Sequence, residues 1–244
     1  MQSRPLYWFF GFWFLILSSC SGSAEEPAQA SQATTSSPSP AETETPMADP
    51  DDAEQTILFL GNSLAAGYGL PDNTLAFPGL IQSKIDSLGW PFRVINAGIS
   101  GETTAGGLGR INWVLRQPID VLVLELGGND GLRGINLDAT ESNLQAIIDS
   151  TKARYDDADV VVAGMMVPPN LGEAYTARFA GIFPLIAQRN EAALIPFLLE
   201  GVGGVPELNL PDGIHPTIEG HVIVAETVWA TLRPVLEARM IADA

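Results

Sequence analysis

Three short segments of this 244-residue chain carry residue types that acyl transfer requires. Segment 61–64 (Gly-Asn-Ser-Leu) supplies a serine directly after an apolar run, and segment 212–216 (Asp-Gly-Ile-His-Pro) supplies a carboxylate and an imidazole three residues apart. Segment 127–130 (Gly-Gly-Asn-Asp) lies between them, and its glycines allow backbone N–H groups to approach a ligand closely. Each segment alone is a weak signal, but together they indicate a serine hydrolase that cleaves acyl esters or thioesters.

The serine hydroxyl needs a neighbouring base, because it is almost never ionised at neutral pH. His215 is the better candidate of the two histidines, since it lies in a turn that contains glycine and proline. His221 falls inside the following predicted helix, where we expect a packed or surface residue. Asp212 can hydrogen-bond one ring nitrogen of His215 and so present the other to Ser63. An ordinary Asp-Gly turn before a helix would have the same sequence, but the other segments favour catalysis.

A tetrahedral intermediate also needs hydrogen-bond donors for its oxyanion. The candidates are the backbone N–H groups of Ser63 and Gly101 and the side-chain amide of Asn129, although glycine and asparagine are also ordinary turn formers. We expect Asp130 to cap a helix or brace its loop. Glu125 lies inside a predicted strand, where we expect a hydrogen-bonded structural role rather than a direct one.

Alternating strands and helices must position these residues. Short apolar runs predict the strands, and apolar residues at helical spacing predict the helices. The predicted strands are 56–60, 93–96, 119–126, 159–165 and 193–197, and the predicted helices are 77–88, 106–115, 138–154, 173–190 and 217–237. We expect the third helix to start with Asp138 as its cap, Pro184 to kink or restart the fourth, and Pro234 to disturb the end of the last.

Five strands separated by helices imply an α/β fold with a parallel sheet covered on both faces. Right-handed crossovers place the C-terminal ends of all the strands at one edge, and ligands bind outside that edge. Ser63, Gly101 and Asn129 follow the first, second and third predicted strands, and His215 follows the fifth. We therefore expect these four residues to converge there.

The N-terminus has the pattern of an export signal. The apolar run 6–17 has twelve residues, which is too short to span a membrane but fits the apolar region of a signal peptide. The string Leu-Ser-Ser-Cys at 17–20 resembles the lipobox of bacterial lipoproteins, and predicts a signal peptide over 1–19 and a lipidated Cys20. An ordinary cleaved signal that contains a cysteine is the alternative. The lipobox predicts an exported, membrane-anchored lipoprotein with its domain in the periplasm or at the cell surface.

Composition separates a tether from a domain. Residues 20–54 are rich in Ser, Ala, Thr, Pro, Gln and Glu, which predicts a disordered tether. Residues 55–244 are predicted to form one domain. The chain has 29 acidic and 12 basic residues; eight acidic and one basic precede Gln55, so the domain carries a net charge of −10. This charge argues against nucleic acid as a partner and against a basic lipid-binding patch, and leaves Cys20 as the predicted membrane contact.

These segments resemble the GDSL, or SGNH, hydrolases. The likeness is greatest to the bacterial branch of multifunctional acyl-thioesterases, arylesterases and lysophospholipases. It rests on segments 61–64, 96–103, 125–134 and 212–216, and it extends from residue 56 to about residue 236. The resemblance implies a three-layer α/β/α flavodoxin-like fold, no metal or cofactor, and a small acyl ester or lysolipid-like substrate.

The resemblance also implies a role for each site residue. It makes Ser63 the nucleophile, His215 the base and Asp212 the partner of His215. It makes the N–H groups of Ser63 and Gly101, with the amide of Asn129, the oxyanion hole. The cleavage would pass through an acyl-enzyme intermediate on the serine.

One position departs from the family name. Asn62 stands where the name GDSL has aspartate, so the hydrogen-bonding capacity is kept and the charge is lost. Asparagine also occurs there in members of the family, and we expect activity to be retained. Segment 61–65 lacks the second glycine of the α/β-hydrolase nucleophile elbow, which again favours the GDSL arrangement.

Apolar loop residues near the sheet edge could form a groove for the acyl chain, although ordinary loop packing is an equal alternative. Segment 167–175 resembles the mobile loop that shapes the acyl site in the similar branch, and we expect a preference for short to medium chain esters. The candidate groove residues are Leu70, Pro71, Phe77, Met165, Met166, Val167, Pro168, Pro169 and Leu171.

Two other functions are compatible with the same fold. A carbohydrate O-acetyl esterase would need an open cleft rich in aromatic residues, but the domain retains only Trp90, Trp113 and Trp229, and none is placed at the edge. A non-catalytic lipid- or glycan-binding lipoprotein would be expected to have a broken triad, and the three triad residues are all present.

Overall fold

Five parallel strands form the centre of the structure, a computed structural model that describes residues 54–242. The predicted signal peptide, Cys20 and all of the predicted tether except Glu54 lie outside the described residues. The strands are β1 (Gln55–Gly61), β2 (Phe92–Asn96), β3 (Val121–Glu125), β4 (Asp159–Ala163) and β5 (Ala193–Ile195). They lie in the order β2-β1-β3-β4-β5, and every neighbouring pair is parallel. The predicted five-stranded parallel sheet is confirmed.

Helices cover the sheet in two groups. The described residues contain α1 (Ser63–Ala66), α2 (Phe77–Leu88), α3 (Thr104–Val114), α4 (Gly128–Leu132), α5 (Leu137–Arg154), α6 (Glu173–Arg189) and α7 (Ile218–Ala242). Helices α2 and α7 pack against each other, whereas α5 packs between α3 and α6. The sheet with its two helix groups makes the three layers that the sequence predicts. No helix within residues 54–242 is both long enough and apolar enough to cross a membrane.

The central strands are buried on both sides, which is why they read as continuous apolar runs. All five residues of β3 are buried, and so are six of the seven residues of β1. Aromatic pairs fill the space between sheet and helices: the rings of Phe59 and Phe77 meet edge to face at 5.6 Å, and those of Phe179 and Phe183 at 5.3 Å. This packing fixes the strand ends from which the site residues project.

Several helix boundaries differ from the sequence prediction. Asn136, not Asp138, caps α5, because the Asn136 side chain accepts hydrogen bonds from the N–H groups of Asp138 and Ala139. Asp138 instead lies in the first turn, where a carboxylate complements the helix dipole. Helix α6 passes through Pro184 without restarting, and α7 continues through Pro234 to Ala242, past the predicted end at residue 237.

His221, in α7, contacts the first residue of α2. Its side chain is buried, its Nδ1 accepts a hydrogen bond from the N–H of Phe77 at 3.2 Å, and the two rings are stacked. Helix α2 has no side-chain cap at Ala76, so this imidazole satisfies one of its free N–H groups. Burial, together with the charge of His215, lowers the pKa of His221 to about 4.

This buried imidazole makes a testable contribution to acid stability. An unfolded histidine, with a pKa near 6.5, binds a proton more readily than folded His221 does. The contribution is therefore complete above pH 6.5 and is lost as the pH falls towards 4. From this residue alone we expect the free energy of unfolding to be about 2 kcal/mol lower at pH 5 than at pH 7. Urea unfolding of His221→Asn, which keeps an acceptor but does not titrate, should show a smaller loss, and equal losses would contradict this role.

Candidate active site

Ser63 lies at the point where β1 gives way to α1. Asn62 caps the helix, since its Oδ1 accepts a hydrogen bond from the N–H of Leu64 at 3.0 Å, and Gly67 ends the helix in the left-handed conformation. Ser63 is only 8% exposed, and it lines the apolar cavity described below. The serine hydroxyl therefore sits at the C-terminal edge of the sheet, in the first turn of a short helix.

Asp212 and His215 occupy the turn before α7. Asp212 Oδ1 accepts hydrogen bonds from the N–H groups of Ile214 at 2.9 Å and His215 at 3.0 Å, and its Oδ2 lies 2.7 Å from His215 Nδ1. Burial alone would raise the pKa of Asp212, but the hydrogen bonds from His215 and Ile214 lower it to about 2. Asp212 is therefore ionised at neutral pH and holds the imidazole in one orientation.

The imidazole bridges Asp212 and the serine hydroxyl. His215 Nε2 lies 2.8 Å from Ser63 Oγ, across 152 positions of sequence. With Nδ1 donating to Asp212, Nε2 is free to accept the proton of the hydroxyl. The ring of Tyr68 lies over that of His215 with 4.5 Å between centroids and restricts it further. No sequence pattern indicated a role for Tyr68. This arrangement can activate the hydroxyl as a nucleophile and return the proton to a leaving group.

The first turn of α1 leaves one N–H group without an internal acceptor. The N–H of Leu64 donates to Asn62, and the N–H of Ala65 donates to Glu125 Oε2 at 3.2 Å. The N–H of Ser63 has no acceptor within residues 54–242. A donor of this kind, next to the nucleophilic oxygen, can bind an oxyanion.

The other two predicted donors follow β2 and β3: Gly101 lies in the loop after β2, and Asn129 lies in the short helix α4. Asn129 lines the cavity and donates from Nδ2 to the carbonyl oxygen of Glu102 at 3.0 Å, which fixes its amide plane. Gly101 has a positive φ of 81°, and its carbonyl oxygen accepts a hydrogen bond from Arg133 at 2.9 Å. The N–H of Gly101 has no acceptor in the described part of the chain. Arg133 thus ties the two loops together, a contact that the sequence did not suggest.

Two carboxylates brace these loops. Asp130 is buried and accepts hydrogen bonds from the backbone N–H and the hydroxyl of Thr104, which anchors the start of α3. Glu125 is buried at the end of β3; burial raises its pKa, and hydrogen bonds from the backbone N–H groups of Asn62 and Ala65 act to lower it. Both residues are hydrogen-bonded structure, as expected. No cluster of three or more His, Cys, Asp or Glu side chains suited to a metal ion occurs within residues 54–242.

An apolar cavity of about 460 Å³ opens beside the hydroxyl and the imidazole. Five of the predicted groove residues line it: Met165, Met166, Val167, Pro168 and Pro169.

The other four predicted groove residues, Leu70, Pro71, Phe77 and Leu171, are not part of the lining, and that prediction was wrong for them. Phe77 instead lies fully buried in the core, against Phe59 and His221.

Part of the cavity wall was not predicted from the sequence. This part comes from α4 and from the loops around β5 and before α7. These further lining residues include Leu132, Phe197, Leu199, Gly203, Gly204 and Ile214.

Comparisons with known proteins identify relatives of this chain. The sequence model of the family described as GDSL-like Lipase/Acylhydrolase matches residues 59–223. Esterase TesA of Pseudomonas aeruginosa is 42% identical over 185 residues, which are 75% of this chain and 90% of that protein. Thioesterase 1/protease 1/lysophospholipase L1 of Escherichia coli is 38% identical over 186 residues, 75% of this chain and 86% of that protein.

A solved structure extends the comparison to three dimensions. The psychrotrophic esterase EstA from Pseudoalteromonas sp., in a crystal structure inhibited by monoethylphosphonate, has a TM-score of 0.70 and 32% sequence identity. The match covers 75% of this chain and 99% of that one. The chain belongs to the GDSL-like lipase/acylhydrolase family.

Proposed function

We propose that this family member is a serine esterase that hydrolyses short to medium chain carboxylic esters or acyl thioesters. The observation that carries the proposal is the continuous series Asp212–His215–Ser63, with contacts of 2.7 and 2.8 Å, beside an apolar cavity. Relatives named as an esterase and as a thioesterase and lysophospholipase support the same bond types. The proposed substrate class is a small acyl ester or a lysolipid-like ester.

The first half of the reaction acylates the enzyme. Ser63 Oγ attacks the carbonyl carbon while His215 Nε2 takes the hydroxyl proton, and the carbonyl oxygen becomes an oxyanion. The N–H groups of Ser63 and Gly101 and the amide of Asn129 donate hydrogen bonds to that oxyanion. The intermediate then collapses, and the C–O or C–S bond breaks. The alcohol or thiol leaves with the proton from His215, and the acyl group remains on Ser63.

The second half returns the free enzyme. A water molecule gives a proton to His215 Nε2 and attacks the acyl-enzyme carbonyl, and the same donors hold the second oxyanion. Ser63 leaves as the hydroxyl after taking the proton back from His215, and the carboxylic acid is released. Asp212, ionised throughout, stabilises the imidazolium that forms in each half.

The cavity lining supports an acyl rather than a glycan ligand. Met165, Val167 and Phe197 present apolar surface next to the nucleophile, and no tryptophan within residues 54–242 lines this cavity. Trp90 and Trp229 pack against each other at 5.6 Å. This placement does not favour a carbohydrate O-acetyl esterase.

A fluorophosphonate probe tests the nucleophile directly, because it reacts only with an activated serine. We expect the wild-type chain to be labelled stoichiometrically and Ser63→Ala to remain unlabelled. The inhibition of EstA by a phosphonate supports the choice of probe. Labelling of Ser63→Ala would mean that another residue is the nucleophile, and no labelling of the wild type would leave a non-catalytic binding protein.

The acyl preference is read from the same preparations with p-nitrophenyl esters of increasing chain length. We expect hydrolysis to be fastest for short to medium chains, because only the part of the chain that lies inside the apolar cavity of about 460 Å³ is held beside the nucleophile. A rate that continues to rise through the longest chains would overturn this preference.

We also propose that the domain is exported and held at a membrane by lipidated Cys20, in the periplasm or at the cell surface. The support is the sequence of the first twenty residues: an apolar run of signal-peptide length that ends at a lipobox-like cysteine. With a net charge of −10, the domain is not expected to bind nucleic acid.

A further inference from the structure

A buried carboxylate lies directly beneath the turn that carries Ser63. Glu125 Oε2 accepts hydrogen bonds from the backbone N–H groups of Asn62 at 3.0 Å and Ala65 at 3.2 Å. Its Oε1 accepts a hydrogen bond from Asn62 Nδ2 at 2.6 Å. The approach is close, because a Cβ at Gly61 would lie 2.5 Å from Oε2. Three N–H groups of one turn therefore converge on a single carboxylate.

The side chain of Asn62 connects Glu125 to the serine. Its Oδ1 accepts the N–H of Leu64 and lies 3.3 Å from Ser63 Oγ, so it is a second acceptor for the hydroxyl that faces His215. The orientation of one amide thus sets both the start of α1 and the surroundings of the hydroxyl.

The amide of Asn62 has a donor end and an acceptor end, and each faces its complement. Turned over, Nδ2 would oppose the N–H of Leu64, and Oδ1 would oppose Glu125 Oε1. Only the carboxylate form of Glu125 accepts all three N–H groups, because a carboxylic acid would direct its O–H at one of these donors.

Burial and neighbouring groups both affect the pKa of Glu125. Burial and the charge of Glu102 raise the pKa of Glu125, whereas the N–H groups of Asn62 and Ala65 lower it. Every hydrogen bond to the oxygens of its side chain comes from an N–H donor, so the geometry assigns the carboxylate form to this turn. Glu102 is itself ion-paired with Arg110.

We infer that Asn62 and Glu125 are positioning residues, whose amide–carboxylate pair locks segment 61–65 and so aligns Ser63 with His215. This inference rests on the proposed role of Ser63 as the nucleophile. An amide opposite a carboxylate pairs every hydrogen-bond donor of this turn with an acceptor. Two carboxylates in the same place would need to share a proton.

The pH profile of Asn62→Asp tests whether residue 62 must supply a hydrogen-bond donor to Glu125. Near neutral pH a shared proton would replace the amide hydrogen between residues 62 and 125. At alkaline pH that proton is lost, and two negative charges repel within the turn. We expect kcat of Asn62→Asp to fall about tenfold or more between about pH 7 and about pH 9, relative to the wild type over the same range.

Glu125→Gln and the double variant complete the test. In Glu125→Gln the new NH₂ must face a donor, so we expect kcat to fall about tenfold or more with KM little changed. In Asn62→Asp/Glu125→Gln the polarity is reversed but complementary, because the Gln NH₂ donates to Asp and the Gln oxygen accepts the backbone N–H groups. We expect the double variant to regain activity over Glu125→Gln and to lose the alkaline fall of Asn62→Asp.

Controls separate positioning from loss of fold and from failure of the proposed function. Gln145 donates to Asp149 at 2.9 Å on the exposed face of α5, and Asp149→Asn, which alters this remote amide–carboxylate pair, should keep the wild-type pH profile. All assays are made below the melting temperature of each variant. A wild-type pH profile in Asn62→Asp, or purely additive losses in the double variant, would overturn the inference. Activity in Ser63→Ala would instead overturn the proposed function.

Discussion

His215→Ala lowers kcat by at least about 10⁴-fold while KM changes little. The reason is geometric, because His215 Nε2 lies 2.8 Å from Ser63 Oγ, at a distance that allows it to accept the hydroxyl proton. Without the imidazole, the hydroxyl must attack while still protonated, and the leaving group receives no proton. Steady-state hydrolysis of a short p-nitrophenyl ester, with active-site titration by the fluorophosphonate, measures the loss.

The second histidine provides the matched control for this prediction. The Nδ1 of His221 is occupied by the N–H of Phe77, and its ring is buried against the Phe77 ring, so it cannot replace His215 as a base. His221→Asn should retain kcat at pH 7 when it is assayed below the melting temperature of the variant. An His215→Ala enzyme within tenfold of the wild type would mean that another group takes the proton.

The main elements of the fold could be predicted because their apolar patterns are long. Predicted strand 56–60 lies inside β1, and predicted helix 77–88 matches α2 at both ends. Parallel strands with right-handed crossovers then bring their C-terminal ends together, which is why Ser63 and His215 could be expected to meet across 152 positions. The alternation of strands and helices, with the right-handed crossover rule, was sufficient to predict that these two residues converge.

The short elements could not be predicted in the same way. Helices α1 and α4 have four and five residues, too few to show a helical period, and they start two and three residues after a strand end. They nevertheless orient Ser63 and Asn129. Their positions depend on tertiary hydrogen bonds, such as those from the Ser63 turn to Glu125, which lies more than 60 positions away.

The cavity wall was only partly predictable, because an apolar loop residue can face either the core or a ligand. Phe77 and Met165 have equivalent apolar signals in sequence, yet the first packs into the core and the second also lines the cavity. The difference depends on the direction in which each side chain leaves the backbone, and tertiary packing determines that direction. Tyr68 illustrates the same limit, since nothing local in the sequence relates its ring to His215.

Asn129→Ala is expected to lower kcat by about 10²- to 10³-fold, the usual cost of removing one oxyanion donor. One N–H of its amide donates to the carbonyl oxygen of Glu102 at 3.0 Å, and this bond holds the amide in place at the cavity. The second N–H remains for the oxyanion, which forms only during the reaction. The loss should therefore appear in kcat, with KM for short esters almost unchanged.

Two further variants make this prediction specific. Asn129→Asp keeps the shape of the side chain but replaces a donor with a negative charge, so its kcat should fall at least as far as that of Asn129→Ala. Asn136→Ala removes an amide that caps α5, and it should cost about 1 kcal/mol of stability without a comparable loss of kcat. If Asn129→Ala stayed within tenfold of the wild type, the oxyanion would be held by the backbone N–H groups of Ser63 and Gly101 alone.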